Sequence, residues 1–169
     1  MIFLGIDPGT ATTGFGIIEK KVESSKLTTL TYGVITTDKR LSDAERLLIL
    51  TNDLEALIKR YKPDYAGVEK LFFASNAKTI IPVAQARGIV VMTLAKHDVP
   101  FAELTPLQVK SSMTGYGKAE KSQIQYMVQK TLDLKTIPKP DDAADALAIA
   151  ICISSNHHLP KLDKIKRKC

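Results

Sequence analysis

Residues 2–18, IFLGIDPGTATTGFGII, determine the architecture that we expect for the chain. The apolar run at 2–6 stops at the turn sequence DPG, which predicts a buried strand followed by a turn. Residues 15–18 predict a second strand, and residues 27–36, rich in Thr, Tyr, Val and Ile, predict a third. The first part of the chain is therefore expected to form an antiparallel meander of three strands.

Helices and short strands alternate after this meander. Ser42 is the predicted N-cap of the first helix, because Glu45 three residues later completes a capping-box pattern and Pro63 ends the apolar periodicity. The further predicted elements are a strand at 65–68 followed by Glu69, a helix at about 76–96 containing Pro82, a strand at 101–104, and helices at 107–113, 118–132 and 141–156. The order βββαβαβααα predicts one α/β domain with helices packed on a mixed sheet.

Length and composition are those of a single globular domain, with 169 residues, 44% of them hydrophobic and 25% charged. We expect residues 1–156 to form this domain. The apolar start has no basic leader and is broken by Asp7, so a cytoplasmic protein with no membrane segment is expected. Cys152 lies in an apolar run and Cys169 ends a polar tail, so a disulfide between them is not expected.

Basic residues are concentrated in two regions of a chain whose formal net charge is +6. Residues 157–169 form a basic tail that is expected to be flexible. The second region is 108–130, where lysines flank the loop sequence TGYGKAEKS. Within it, Gly115 and Gly117 would let the loop backbone approach phosphates, and Lys118 adds positive charge. This region is the predicted site of contact with an anionic partner.

Two acidic residues follow predicted strands. Asp7 comes after the apolar strand at 2–6, and Glu69 comes after the strand at 65–68. A lone carboxylate buried at a strand end is costly unless a cation meets it. Both positions therefore suggest a metal site at one edge of the sheet.

The last predicted helix adds further acids. Asp142 and Asp145 share a face because they are three residues apart, and Asp141 and Asp145 can share one because they are four apart. The spacing alone leaves open which of Asp141 and Asp142 belongs to the site. Acids in a first turn also favour the helix dipole, so Asp141 could serve only as a cap.

Carboxylates from three separate elements, with no cluster of His or Cys, predict an oxygen-ligand site for Mg²⁺, with Mn²⁺ as a substitute. Such sites are typical of phosphoryl transfer. Two ions about 4 Å apart would activate the attacking water and stabilise the leaving oxygen of a phosphodiester. Glycoside hydrolysis by paired acids is disfavoured, because the chain has no Trp to stack on a sugar.

Four stretches together resemble the RuvC family of Holliday-junction resolvases, over about residues 2–154. They are LGIDPGTATTGFGII, GVEKLFFASNAKTIIPVAQARG, LTPLQVKSSMTGYGKAEKSQIQYMV and DDAADALAIAI. The resemblance implies an RNase H-like fold with a central mixed five-stranded sheet flanked by helices. It also implies an endonuclease that resolves four-way DNA junctions in recombination and repair by paired nicks, leaving 5′-phosphate and 3′-hydroxyl ends.

The resemblance assigns the residues of the site by matching motif positions. It selects Asp7, Glu69, Asp142 and Asp145 as catalytic, metal-binding acids and leaves Asp141 outside the motif. Lys110 and Lys121 match lysines that act near the scissile phosphate and in DNA binding, although most lysines are only solvated surface. Phe72 matches an aromatic residue that stacks on junction bases, whereas by itself it would more often be a core residue.

Partners are also implied by the resemblance. It predicts a homodimer that gives two nicks by two-fold symmetry, and a RuvA-RuvB branch-migration complex as partner. The helix at about 76–96 is the family's dimer element, and its apolar content exceeds what one core-facing stripe needs. That content consists of Ile80, Ile81, Val83, Ile89, Val90 and Val91.

Three other functions compete with a junction resolvase. A catalytically inactive or RNA-processing relative of the same fold is disfavoured, because all the acids are present. An actin-like sugar kinase or ATPase shares the D-x-G-T hairpin but needs two such domains and a longer chain. A plain DNA-binding module would explain the lysines and leave the acids without a purpose.

Overall fold

The computed structural model describes residues 1–21, 26–70 and 77–155. Within these residues, five strands and five helices follow one another in the predicted order. The elements are β1 (Ile2–Asp7), β2 (Thr12–Lys20), β3 (Leu27–Thr36), α1 (Asp43–Tyr61), β4 (Tyr65–Glu69), α2 (Ala77–Lys96), β5 (Phe101–Leu104), α3 (Pro106–Thr114), α4 (Lys121–Thr131) and α5 (Asp141–Ser155).

The sheet is mixed, as predicted, and its strand order is β3-β2-β1-β4-β5. β1, β2 and β3 form the antiparallel meander, whereas β4 and β5 join β1 in parallel. Since β1 is central and parallel to β4, the carboxyl ends of these two strands lie at the same edge of the sheet. That edge receives Asp7 and Glu69.

Two apolar layers cover the two faces of the sheet. On one face, α1 and α2 pack Leu54 and Val90 against Leu4 and Val68. On the other face, α5 lies directly on the sheet and is covered from outside by α3 and α4. Helix α5 is buried along nearly its whole length, which its alanine-rich sequence allows.

Local signals in the sequence account for several element boundaries. The Ser42 hydroxyl accepts a hydrogen bond from the Glu45 N–H, and the Glu45 carboxylate accepts one from the Ser42 N–H, so the predicted capping box is confirmed. Helix α3 begins after a second capping box between Thr105 and Gln108. Pro82 lies inside α2, where its carbonyl accepts a hydrogen bond from the Thr10 hydroxyl.

The predicted starts of two elements were wrong. Strand β2 begins at Thr12 and not at residue 15, because the β-branched Thr12 and Thr13 pair with the end of β3. Helix α4 begins at Lys121 and not at residue 118. The Gln123 side chain accepts from the Glu120 N–H and fixes Glu120 as the N-cap, while the preceding residues form a turn.

Candidate metal centre

Asp7 and Glu69 are neighbours at the carboxyl edge of the sheet. Ile6 pairs with Val68 in the parallel register of β1 and β4, so the acid that follows each of them ends its strand at the same level. Side chains alternate along a strand, and Ile6 and Val68 face α1 and α2. Asp7 and Glu69 therefore face the opposite side, toward α5.

Close backbone contacts bring α5 to these strands. An added Cβ on Gly5 would lie 2.0 Å from the carbonyl oxygen of Ala146, and one on Gly14 would lie 2.0 Å from the carbonyl oxygen of Asp142. Only glycine permits this approach, because any side chain would separate the helix from the sheet. The first turns of α5 consequently lie against the strand ends, which places Asp142 and Asp145 beside these ends.

The structure brings three of the predicted acids into one group. Carboxylate oxygens of Asp7, Asp142 and Asp145 lie within 4.8 Å of one another, and all three side chains are half-buried. Within the described parts of the chain, no other group of three or more potential metal ligands is this compact. Glu69 joins the group through a side-chain hydrogen bond with Asp7.

The electrostatics of this group favour the binding of a cation. Burial, followed by the nearby charge of Glu69, raises the pKa of Asp7 to about 8. Burial also raises the pKa of Glu69 and that of Asp145. Acids held together with raised pKa values repel one another when ionised, so a divalent cation would stabilise their charged forms. The all-oxygen donor set fits a hard cation.

Lys121 supplies a positive charge of the protein itself. Its ammonium lies 3.0 Å from the Asp145 carboxylate and 3.4 Å from that of Asp141. Although burial disfavours the charged lysine, these two carboxylates raise its pKa overall. The predicted DNA-binding residue Lys121 therefore contacts the acidic group directly, a contact that the sequence spacing did not indicate.

Asp141 has partners of its own. It is exposed, and its carboxylate accepts a hydrogen bond of 3.0 Å from the Gln125 side chain in addition to the Lys121 contact. It is not part of the compact group. The ambiguity that the spacing left is therefore resolved in favour of Asp142, and Asp141 links α5 to α4.

The other predicted DNA-binding residues lie on α3 and in the loop after it. Lys110 is half-buried on α3, Gly115 is its C-cap with φ 74°, and Gly117 and Lys118 lie between α3 and α4. The structure does not bring Lys110 or Lys118 into contact with the acids. Phe72 lies outside the described residues.

Comparisons with known proteins place the chain in a family. The family model described as crossover junction endodeoxyribonuclease RuvC matches residues 3–153. A RuvC of Syntrophomonas wolfei is 52% identical over 159 residues, which are 94% of this chain and 91% of that protein. A RuvC of Ruminiclostridium cellulolyticum is 49% identical over 162 residues, which are 96% of each chain.

A solved structure agrees with these matches. The Thermus thermophilus RuvC in complex with Holliday junction substrate superposes with a TM-score of 0.85 at 32% identity, covering 91% of this chain and 93% of that one. The expected RNase H-like fold is confirmed. Among the helices of the described residues, none has the length and apolar character that crossing a membrane requires. The chain belongs to the RuvC family of crossover junction endodeoxyribonucleases.

Proposed function

We propose that this chain resolves four-way DNA junctions by paired, metal-dependent nicks. The observation that carries the proposal is the compact group of Asp7, Asp142 and Asp145 at the carboxyl edge of the sheet, with Glu69 hydrogen-bonded to Asp7. The relative from Thermus thermophilus, at 32% identity, was solved with a Holliday junction substrate. Hydrolysis of one phosphodiester per site leaves 5′-phosphate and 3′-hydroxyl ends, which a ligase can rejoin.

Asp7, Glu69, Asp142 and Asp145 are the proposed ligands for Mg²⁺, two ions per site, with Mn²⁺ as a substitute. When bound there, the metal supplies charge that favours ionisation of the attacking water and stabilises the leaving oxygen. Burial and Glu69 raise the pKa of Asp7 to about 8, which favours a proton on this pair of carboxyl groups, and a bound cation would favour their ionised forms. The Lys121 ammonium orients the Asp145 carboxylate. It also screens the negative charge of this carboxylate and so reduces the repulsion of an approaching phosphate.

A homodimer is proposed through the outer face of α2. Part of the apolar content predicted for this face is in the core, since Val90 is fully buried. Ile81 and Met92, however, are 65% and 46% exposed. Together with Ala84 and Gly88, which are also exposed, they lie at spacings of three and four residues and form one stripe. A two-fold pairing of this stripe would present two identical sites to a junction of matching symmetry.

A RuvA-RuvB branch-migration complex remains the proposed partner of the resolvase, on the strength of family membership alone. A complex of this kind would deliver the junction to the enzyme. The proposal is tested by whether immobilised protein retains RuvA and RuvB only when a four-way junction is present.

The proposed activity is tested with a labelled four-way junction. We expect the wild-type chain to introduce paired symmetric nicks in Mg²⁺ and none in EDTA. Asp7→Asn should lower the cleavage rate by at least about 10³-fold, because the carboxylate holds the metal, while junction binding in EDTA stays near the wild-type value. Leu48→Ala, an exposed position on α1, is the matched control and should cleave normally.

The outcomes separate the competing functions. Binding with no cleavage by the wild-type chain in Mg²⁺ or Mn²⁺ would indicate an inactive relative or a plain binding module. Cleavage that persists in Asp7→Asn would contradict the assignment of the four acids as metal ligands. Preference for structured RNA over a DNA junction at equal salt would favour an RNA-processing relative.

A further inference from the structure

A groove between α3 and α4 is separate from the acidic group. Its volume is about 560 Å³. Apolar and aromatic side chains form most of its surface, with a few hydroxyl and amide groups among them. The residues that line it are Met113, Thr114, Tyr116, Ala119, Ser122, Gln123, Tyr126 and Met127. None of them belongs to the proposed metal site.

Two tyrosines of this groove are unusually exposed. Tyr116 is 60% exposed and Tyr126 is 52% exposed, although each offers a large apolar ring. A buried core does not explain them, because the apolar residues of α4 that face α5 are Ile124 and Val128. Rings that remain in water beside a groove are suited to stacking on a flat ligand.

The charges around the groove favour an anionic ligand. Lys118 precedes α4, and Lys130 places its ammonium 5.4 Å from the centre of the Tyr126 ring. The acid nearest in sequence, Glu120, forms the N-cap of α4. Aromatic rings interleaved with lysines are the usual surface for single-stranded or unpaired nucleotides, in which a base stacks and the phosphates meet cations.

The α4 wall of the groove also offers hydrogen-bonding groups. Gln123 uses its side-chain oxygen to accept from the Glu120 N–H at 2.8 Å, and this bond does not use its amide nitrogen. Ser122 contributes a hydroxyl to the same wall. A base edge carries donors and acceptors that these groups can meet, whereas a purely apolar ligand would leave them unpaired.

The first turn of α4 adjoins both the groove and the acidic group. Lys121 contacts Asp145, and Ser122, the next residue, lines the groove. Successive residues of a helix point in directions about 100° apart, so the two sites are on different sides of α4. A strand whose phosphate is at the acids could place a nearby nucleotide in the groove by passing around the amino end of this helix.

We propose that the α3–α4 groove binds one unpaired nucleobase of the nucleic-acid substrate, stacked on Tyr116 and Tyr126. The proposal rests on the proposed action on four-way junctions for its substrate, and it extends that function by adding a base-binding position away from the acids. A base held there would be extruded from the junction, and its identity could influence which phosphodiester is cleaved.

Fluorescence of 2-aminopurine tests the proposal. Four-way junctions carry this base at each position around the exchange point, one position at a time, and are titrated with wild-type protein in EDTA. At one discrete position we expect wild type to quench the probe strongly relative to the double tyrosine variant, because a tyrosine ring stacked on the extruded base quenches its emission. Tyr116→Ala and Tyr126→Ala together should weaken binding of that junction by about tenfold or more and abolish the quenching.

Matched variants separate stacking from general damage. Tyr116→Phe keeps the ring and should retain the quenching, and Leu48→Ala on α1 should behave as wild type. Ser122→Trp fills the groove from α4, one turn before Tyr126, and should exclude the base. An abasic residue at the identified position should weaken wild-type binding to the level of the double tyrosine variant and cause no additional loss in that variant.

The result that overturns the proposal is equal affinity and equal quenching in wild type, the double tyrosine variant and Ser122→Trp.

Failure of the proposed function has a different signature. If the wild-type chain neither cleaves a four-way junction nor prefers it to a duplex, a duplex with a single bulged 2-aminopurine still probes the groove, and quenching of that bulge by wild type but not by the tyrosine variant would support it.

Discussion

The ammonium of Lys121 lies 3.0 Å from Oδ2 of Asp145, so the acidic group contains a cation from the protein itself. Burial raises the pKa of Asp145, and Lys121 opposes that rise. The lysine thus favours the ionised form of one proposed metal ligand, whereas burial and Glu69 favour the protonated form of Asp7. This relationship predicts how cleavage should depend on pH.

Lys121→Gln should lower the cleavage rate about 10- to 100-fold, as removal of a side chain that supports metal ligands does. Without Lys121 the pKa of Asp145 rises further, so the ascending limb of the pH–rate profile should move to higher pH. Profiles measured at saturating Mg²⁺ test this. Lys59→Gln is the control, since Lys59 lies on α1 and pairs with Glu55. An unshifted profile in Lys121→Gln would contradict the role given to the lysine.

The raised pKa of Asp7 predicts that the stability of the metal-free protein falls as pH rises. The pKa of Asp7 is raised to about 8 in the folded protein, whereas an aspartate in the unfolded chain releases its proton near the ordinary value of 3.8. The unfolded state therefore binds fewer protons between these values, so the metal-free protein should lose stability as pH rises from about 4 to about 8. Mg²⁺ should reverse the loss by binding the ionised form.

The measurement is thermal unfolding in EDTA across that range of pH. Asp7→Asn should flatten the dependence and stabilise the protein at pH 8 by roughly 1–2 kcal/mol, a value reduced from the full pKa shift because of partial exposure and coupling to Glu69. Each kcal/mol corresponds to about 2–4 °C for a domain of this size. Asp53→Asn, on the outside of α1, should leave the curve as it is. A wild-type protein most stable at pH 8 in EDTA would refute the prediction.

The exposed stripe of α2 predicts the oligomeric state. Ile81→Glu with Met92→Glu places two charges on the stripe and should convert a dimer to a monomer with retained helical content. Light scattering after size exclusion gives the mass, and circular dichroism checks the fold. The monomer should nick junctions singly and lose the paired incision. Leu48→Glu is the control on another exposed apolar position, and an unchanged mass in the double variant would exclude this interface.

The contact between Gly14 and the Asp142 carbonyl predicts a steric effect. Gly14→Ala should destabilise the protein by about 2 kcal/mol or more and should weaken Mg²⁺ binding, because the start of α5 must move away from β2. Gly88→Ala is the matched control, since an added Cβ there meets no atom within 4 Å. Heat unfolding of both, in the monomeric background of the preceding paragraph, compares them without interference from the dimer. Equal melting temperatures would contradict the close packing.

The proposed DNA contacts of Lys110 and Lys118 predict how the affinity for a junction depends on salt concentration. If each contacts one phosphate, Lys110→Ala and Lys118→Ala should each reduce the slope of log affinity against log salt concentration by about 1. Junction binding in EDTA at several salt concentrations provides the slopes. Lys59→Ala, in the last turn of α1, should keep the wild-type slope. Identical slopes in all the variants would remove these lysines from the DNA contact surface.

Much of this architecture was predictable because its signals are local. Apolar runs ending in acids marked β1 and β4, and the Ser42–Glu45 pattern marked the start of α1. The start of α4 was not predicted correctly, since it depends on whether the Gln123 side chain turns back to Glu120. That choice is made by a hydrogen bond and not by hydrophobic periodicity.

The geometry of the site was harder to predict than its membership. Sequence spacing allowed either Asp141 or Asp142, and the tertiary contacts of Asp141 with Gln125 and Lys121 decide the matter. The contact of Lys121 with Asp145 joins residues 24 positions apart on two helices. Contacts of this kind require the packing of α4 on α5, which no local pattern encodes.

Because α5 contacts the sheet at glycines, the positions of the acidic residues depend little on how the side chains of the core pack. At Gly5 and Gly14 the distance between helix and strands is limited by backbone atoms and not by the shapes of side chains. Substitutions among the aliphatic residues elsewhere can therefore repack the apolar layers while the helix keeps its position over the strand ends. In evolutionary terms, the aliphatic core of such a protein can change in sequence, whereas the spacing of its acids is kept as long as a few glycines are kept.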